Sequence, residues 1–268
     1  MKRKYNLTLP LGLLVLVMAT PGCGVINKLR AKDSLNDGVR EFNKGKFDTA
    51  QEKFARSLEL SPELTNAQLF YARALNSQFD QNLTEDLGKK TLAAYDDIIA
   101  RNPDNAEAID QSLAFKANVY EKMASINPDK SEEYKQLQRD TLIRRAELPS
   151  ATAKAKADVY YTLGVGYWKE SYDLNAGYML KKQPIPPEVL AKMKPLIGKA
   201  HEMLQKAISI QSDYANAWFY EKLVYIEEAK VDPSRLKEFD AKARAMQDKY
   251  TAIQKEQKEH GGEAASGQ

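Results

Sequence analysis

The segment from Gly38 to Pro62, GVREFNKGKFDTAQEKFARSLELSP, restricts the fold more than any other part of the chain. Phe47, Ala50, Phe54, Ser57 and Leu58 recur at three- and four-residue steps, so they share one face of a helix. Gly45, between Lys44 and Lys46, permits a backbone reversal ahead of that helix. Leu60 extends the face, and Pro62 prevents the helix from continuing. On the preceding helix Gly38 leaves room for a close neighbour, and Phe42 follows one turn later. Two helices this short cannot bury their apolar faces alone and need stacked neighbours.

The remaining sequence reads as variants of this unit. Ser61-Pro62-Glu63 and Asn102-Pro103-Asp104 close the first two units, with Thr65 placed to cap the next helix. Pro62 and Pro103 stand 41 residues apart, and an enlarged turn from Phe79 to Glu85 accounts for the excess over a period of ~34. A third unit has a helix over Asn105–Ser125, a turn at Asn127-Pro128-Asp129 and a charged helix with Ser131 as its cap. The fourth carries Tyr160, Leu163, Gly164 and Tyr167. An insertion over 173–187 follows, ending in Pro184-Ile185-Pro186-Pro187, and then a helix from Met193 to Ile210. Ala215-Asn216-Ala217-Trp218 opens the fifth, which turns at Val231-Asp232-Pro233 and ends in a polar helix over Leu236–Gln257. Strand-like alternation is scarce, so the class is all-α.

The order small Gly38, aromatic Phe42, Gly45, aromatic Phe47, Ala50, aromatic Phe54, Leu58, Leu60, Pro62 resembles the tetratricopeptide repeat. Ser34, Asp37 and Ser57 depart from that pattern. The resemblance implies a right-handed superhelical solenoid of helix hairpins, about five pairs over residues 34–257, with a polar, disordered tail at 258–268. It further implies a concave groove that binds a protein or peptide partner without catalysis. By repeat position the groove residues are Asn36, Asn43, Asn66, Leu69, Phe70, Arg73, Tyr161, Phe219 and Tyr220. Aromatic anchors and side-chain amides at such positions suit an extended or helical peptide.

The first residues, Met1-Lys2-Arg3-Lys4, are basic, and no charge follows between Tyr5 and Asn27. With the apolar run Leu11–Ala19 they have the layout of a secretory signal over 1–22. Cys23, the chain's single cysteine, closes Ala19-Thr20-Pro21-Gly22-Cys23 and resembles the lipidated cysteine of bacterial lipoproteins. That resemblance implies a lipid on Cys23 and a connector over 23–33. By the same resemblance, Gly24 after the cysteine implies the outer membrane, at its periplasmic face. The formal charge of +3 belongs to Lys2, Arg3 and Lys4; without 1–22, 37 basic residues balance 37 acidic ones. A nucleic-acid role therefore has no electrostatic support. One cysteine also excludes an internal disulfide.

Little in the sequence points to chemistry. His201 opens His-Glu-Met-Leu-Gln, but Gln205 stands where a zinc helix needs its second histidine. His201 thus reads as a surface helix residue. Gly164-Val165-Gly166 lies in a helical pattern with no preceding strand, so close helix packing explains it better than a phosphate loop. No catalytic residue, metal site or cofactor is assigned. The expected role is a non-catalytic scaffold at the cell envelope. The alternatives are an accessory or regulatory subunit of a cell-wall polymer enzyme, or a cytoplasmic scaffold.

Overall fold

The computed structural model describes residues 22–266, so the expected signal over 1–22 lies almost wholly outside the described residues. Those residues form ten α-helices and two single turns of 3-10 helix, with no strand among them. The helices are α1 (Gly22–Asn43), α2 (Phe47–Leu60), α3 (Thr65–Gln81), α4 (Glu85–Arg101), α5 (Ala106–Ile126), α6 (Ser131–Ala146), α7 (Ala153–Leu180), α8 (Pro187–Ile210), α9 (Ala215–Val231) and α10 (Leu236–Ser266). The chain divides into two compact units at Ala74 and Leu75, inside α3.

In the first unit α1 and α2 pack as a hairpin. Gly45 adopts φ +74° in the turn, the left-handed conformation that glycine alone takes without strain. A β-carbon at Gly38 would lie 2.5 Å from Phe54 Cε1, so only glycine admits the ring there. Phe54, Ala50 and Ala74 form the core, with Leu35, Val39, Phe42 and Phe70 packed around them. Ser57, where the repeat pattern has alanine, donates a buried hydrogen bond to the Ala31 carbonyl at 2.8 Å.

The second unit continues with pairs α5–α6, α7–α8 and α9–α10. Side chains cap three of its helices: Thr84 accepts from Leu87 N, Asn105 from Ala108 N and Thr152 from Ala155 N. Ser131 is not a cap; a 3-10 turn at Pro128–Lys130 leads straight into α6. Separate apolar clusters lie along the unit, one around Phe79, Val119 and Met123, one around Leu142, Val159 and Leu163, and one around Met193, Leu204 and Val224.

Three expected non-helical stretches are helical. The connector over 23–33 is the start of α1. The enlarged turn is confined to 82–84 because α3 carries on through Gln81. Most of the insertion over 173–187 is added helix, since α7 runs to Leu180 and only 181–186 link it to α8. Lys182 holds φ 53° in that link. No proline interrupts Phe79–Gln81 or Asp173–Leu180, so nothing in either stretch forces the helix to stop. The α10 backbone also continues to Ser266, past the point where the sequence reads as a polar tail.

Candidate functional site

The nine residues expected in a groove fall into two groups, one in each unit. In the first unit Phe70 is partly buried, stacked on Phe54 with ring centroids 5.5 Å apart. Exposed Arg73 covers it, its guanidinium 5.3 Å from the Phe70 ring and 5.5 Å from Phe42. Asn36, Asn43 and Asn66 are exposed and Leu69 is partly buried. Phe70 is therefore mainly a packing residue with a cationic cover.

In the second unit Tyr161, Tyr220 and Phe219 come together within a longer aromatic row. Tyr214, Tyr161, Tyr220, Trp168 and Tyr172 follow one another at centroid distances of 4.9, 5.7, 5.1 and 5.5 Å. Phe219 branches from Tyr220 at 5.7 Å and meets Tyr250 at 5.4 Å. Tyr161, Trp168 and Tyr172 are spaced along α7 at steps of seven and four, which keeps them on one face. Tyr161, Trp168 and Tyr220 pack against the Leu204 cluster while remaining partly exposed, and Tyr172 is exposed. Sequence reasoning missed Trp168, Tyr172, Tyr214 and Tyr250; the α7 spacing was the signal for the first two. Burial raises the pKa of Tyr161. It raises that of Tyr214 too, assisted by a hydrogen bond with Asp158. Both phenols stay neutral and keep their protons to donate.

Beside the row lies a cleft of about 420 Å³ between the end of α5, α6 and α7, lined by Glu121, Lys135, Arg139, Tyr161, Lys169 and Glu170 among others. Arg139 pairs with Glu170 on its wall and lies 4.8 Å over the Tyr167 ring. A second cleft, between α6, α7 and α8, shares Lys135, Glu170 and Asp173.

Two polar clusters hold α9 in this unit. His201 is not a surface residue: its side chain is 16% exposed. Nδ1 lies 2.8 Å from Glu221 Oε1, and Nε2 lies 3.1 Å from Glu228 Oε2. Carboxylates only accept, so the arrangement favours the charged imidazole, in which both ring nitrogens donate. Burial opposes that charge, but the hydrogen bonds and charges of Glu221 and Glu228 outweigh it and raise the pKa above the usual histidine value. Gln205 donates to the same Glu221 oxygen at 3.1 Å, and the Tyr225 ring lies 4.6 Å from the imidazole. In the second cluster Asn175 Nδ2 donates to Glu227 Oε2 at 2.7 Å, and Lys230 Nζ reaches Glu227 Oε1 at 2.6 Å. Glu221 and Glu227 are each 2% exposed. Among the described residues no group of His, Cys, Asp or Glu is placed to hold a metal ion. Cys23 stands in the first turn of α1, and its side chain lies outside the described residues.

Helix hairpins closed by a glycine on one helix and a large side chain on the other, repeated along an all-α chain, are the tetratricopeptide-repeat fold. Solved structures of MamA, a tetratricopeptide-repeat protein, share it. MamA from Desulfovibrio magneticus RS-1, from residue 41 to its end, is similar with a TM-score of 0.51 at 15% identity, over 85% of this chain and 97% of that one. A double mutant of the RS-1 protein gives 0.52 at 15% identity, over 85% and 96%. A further MamA structure gives 0.50 at 19% identity, over 83% and 94%. At these identities the likeness is one of fold. No protein-family model matches the sequence, and no curated protein matches it significantly.

Proposed function

We propose that this chain is a non-catalytic adaptor of the bacterial cell envelope. A lipid on Cys23 holds it at the periplasmic face of the outer membrane, and the aromatic face of α7 and α9 captures an extended segment of a protein partner. The observation that carries this reading is the row of partly exposed rings from Tyr214 to Tyr172. Large rigid rings contribute contact area at small entropic cost, which is why tyrosine and tryptophan dominate protein-binding hot spots. The tetratricopeptide-repeat fold supports a scaffold role by analogy of fold. Phe70 and Arg73 form a second, smaller contact patch in the first unit.

Cross-linked co-purification of the full-length protein from membranes tests the reading. One reproducible companion is expected, and it should be lost with Tyr220→Ala and Trp168→Ala and weakened with Phe70→Ala or Arg73→Ala. A companion retained in all four variants would place binding elsewhere. Cys23→Ser should move the protein out of the membrane fraction, and unchanged fractionation would remove the lipid from the mechanism.

A further inference from the structure

We propose that the outer face of the first two turns of α1, carrying Val25, Ile26 and Leu29, seats in the interfacial layer of a membrane with anionic headgroups. The inference rests on the envelope reading above, because a chain kept in the cytoplasm would not hold its lipidated end at that surface.

Val25, Ile26 and Leu29 are 63%, 50% and 59% exposed. Among the described residues of the first unit they are left uncovered. The inward stripe of α1 is buried Ala31, then Leu35, buried Gly38 and Phe42, which meet α2 and the Phe54 cluster. At about 100° per residue, Val25, Leu29 and Ile26 fall on an arc centred roughly opposite Ala31. The beginning of α1 is thus apolar on two opposite sides, and only one has a partner in the first unit.

Charge selects the occupant. Lys28, Arg30 and Lys32 are exposed and flank the apolar arc, and no acidic residue precedes Asp33 in the whole sequence. Lys28 is 3.8 Å from Glu63, with both side chains more than half exposed, a pairing that solvent screens. An apolar arc edged by cations fits a layer of acyl chains beneath anionic headgroups. The patch begins two residues after Cys23, so lipid and helix face would enter the same bilayer from one end of α1. Among the described residues no helix is long and apolar enough to cross a membrane, so the face would lie on the bilayer and not span it.

The test uses the full chain with Ile26→Cys or with Thr49→Cys, an exposed position on α2, purified and reconstituted into vesicles of phosphatidylethanolamine and phosphatidylglycerol. A water-soluble maleimide reads the exposure of each thiol, and intact mass reports whether Cys23 is acylated. Position 26 should label about tenfold more slowly than position 49, as expected of a side chain held below the headgroups. The difference should shrink when Lys28, Arg30 and Lys32 are all changed to Glu. Equal labelling on a protein whose Cys23 is acylated would overturn the inference and leave the anchor intact. Protection of position 26 with an unmodified Cys23 would support the inference and overturn the anchor. A dimer in detergent that shields position 26 would assign the face to a second copy and overturn the membrane assignment.

Discussion

The α1–α2 and α7–α8 hairpins are closed by the same device and completed by different means. In each a glycine on the first helix admits a side chain of the second. A β-carbon at Gly38 would meet Phe54 Cε1 at 2.5 Å, and one at Gly164 would meet Leu204 Cγ at 2.6 Å and the Leu204 backbone nitrogen at 3.1 Å. The short hairpin, whose second helix has 14 residues, surrounds this contact with apolar side chains and one buried hydroxyl. The long hairpin, with helices of 28 and 24 residues, carries Asn175 and His201 into contact with Glu227, Glu221 and Glu228 of α9. Asn175 lies in the length added to α7 and His201 in the ordinary stretch of α8; each is a polar position under cover that needs a hydrogen-bond partner there.

If the short hairpin depends on its ring, Phe54→Ala should cost about 3–5 kcal/mol in urea denaturation. A smaller loss would mean that the surrounding side chains collapse into the space. His201→Ala should cost about 3 kcal/mol, the low end for a broken buried pair because Glu228 stays in touch with water. The His201 contribution also has a definite pH dependence. Its folded pKa lies above the unfolded value of about 6.5, so the stabilisation is fully present below that pH. It declines as pH rises through the folded value. A melting temperature that falls equally with pH in His201→Gln would show that other groups are responsible. Gly164→Ala should lower stability by about 1–3 kcal/mol, since the Leu204 backbone cannot move aside. Two residues on, a β-carbon at Gly166 meets nothing within 4 Å. Gly166→Ala should therefore raise stability by about 0.5–1 kcal/mol through helix propensity. Equal melting temperatures for the two alanine variants would erase the distinction.

Local features were legible in the sequence. The Gly45 reversal, the Phe54 face and the close packing at Gly164 follow from spacing within a turn or two of each residue. His201 was misread because its partners lie 20 and 27 residues away on another helix, where no periodicity connects them. The two enlarged links were misread for another reason: a repeat period locates extra residues but cannot tell a longer loop from longer helices. The aromatic row was half legible. Tyr161, Phe219 and Tyr220 follow from repeat position, whereas Tyr214 and Tyr250 join it only through the packing of separate elements.

Pro195 lies inside α8 and has no N–H to offer the Ala191 carbonyl. The helical ladder is therefore interrupted between the turns added at Pro187–Lys194 and the final stretch, residues 197–210, which matches the 14-residue length of α2. The consequence is kinetic. With that bond missing, the amide protons of residues 188–192 should exchange with solvent faster than those of 197–210, while buried Met193 keeps the following turn in the Leu204 cluster.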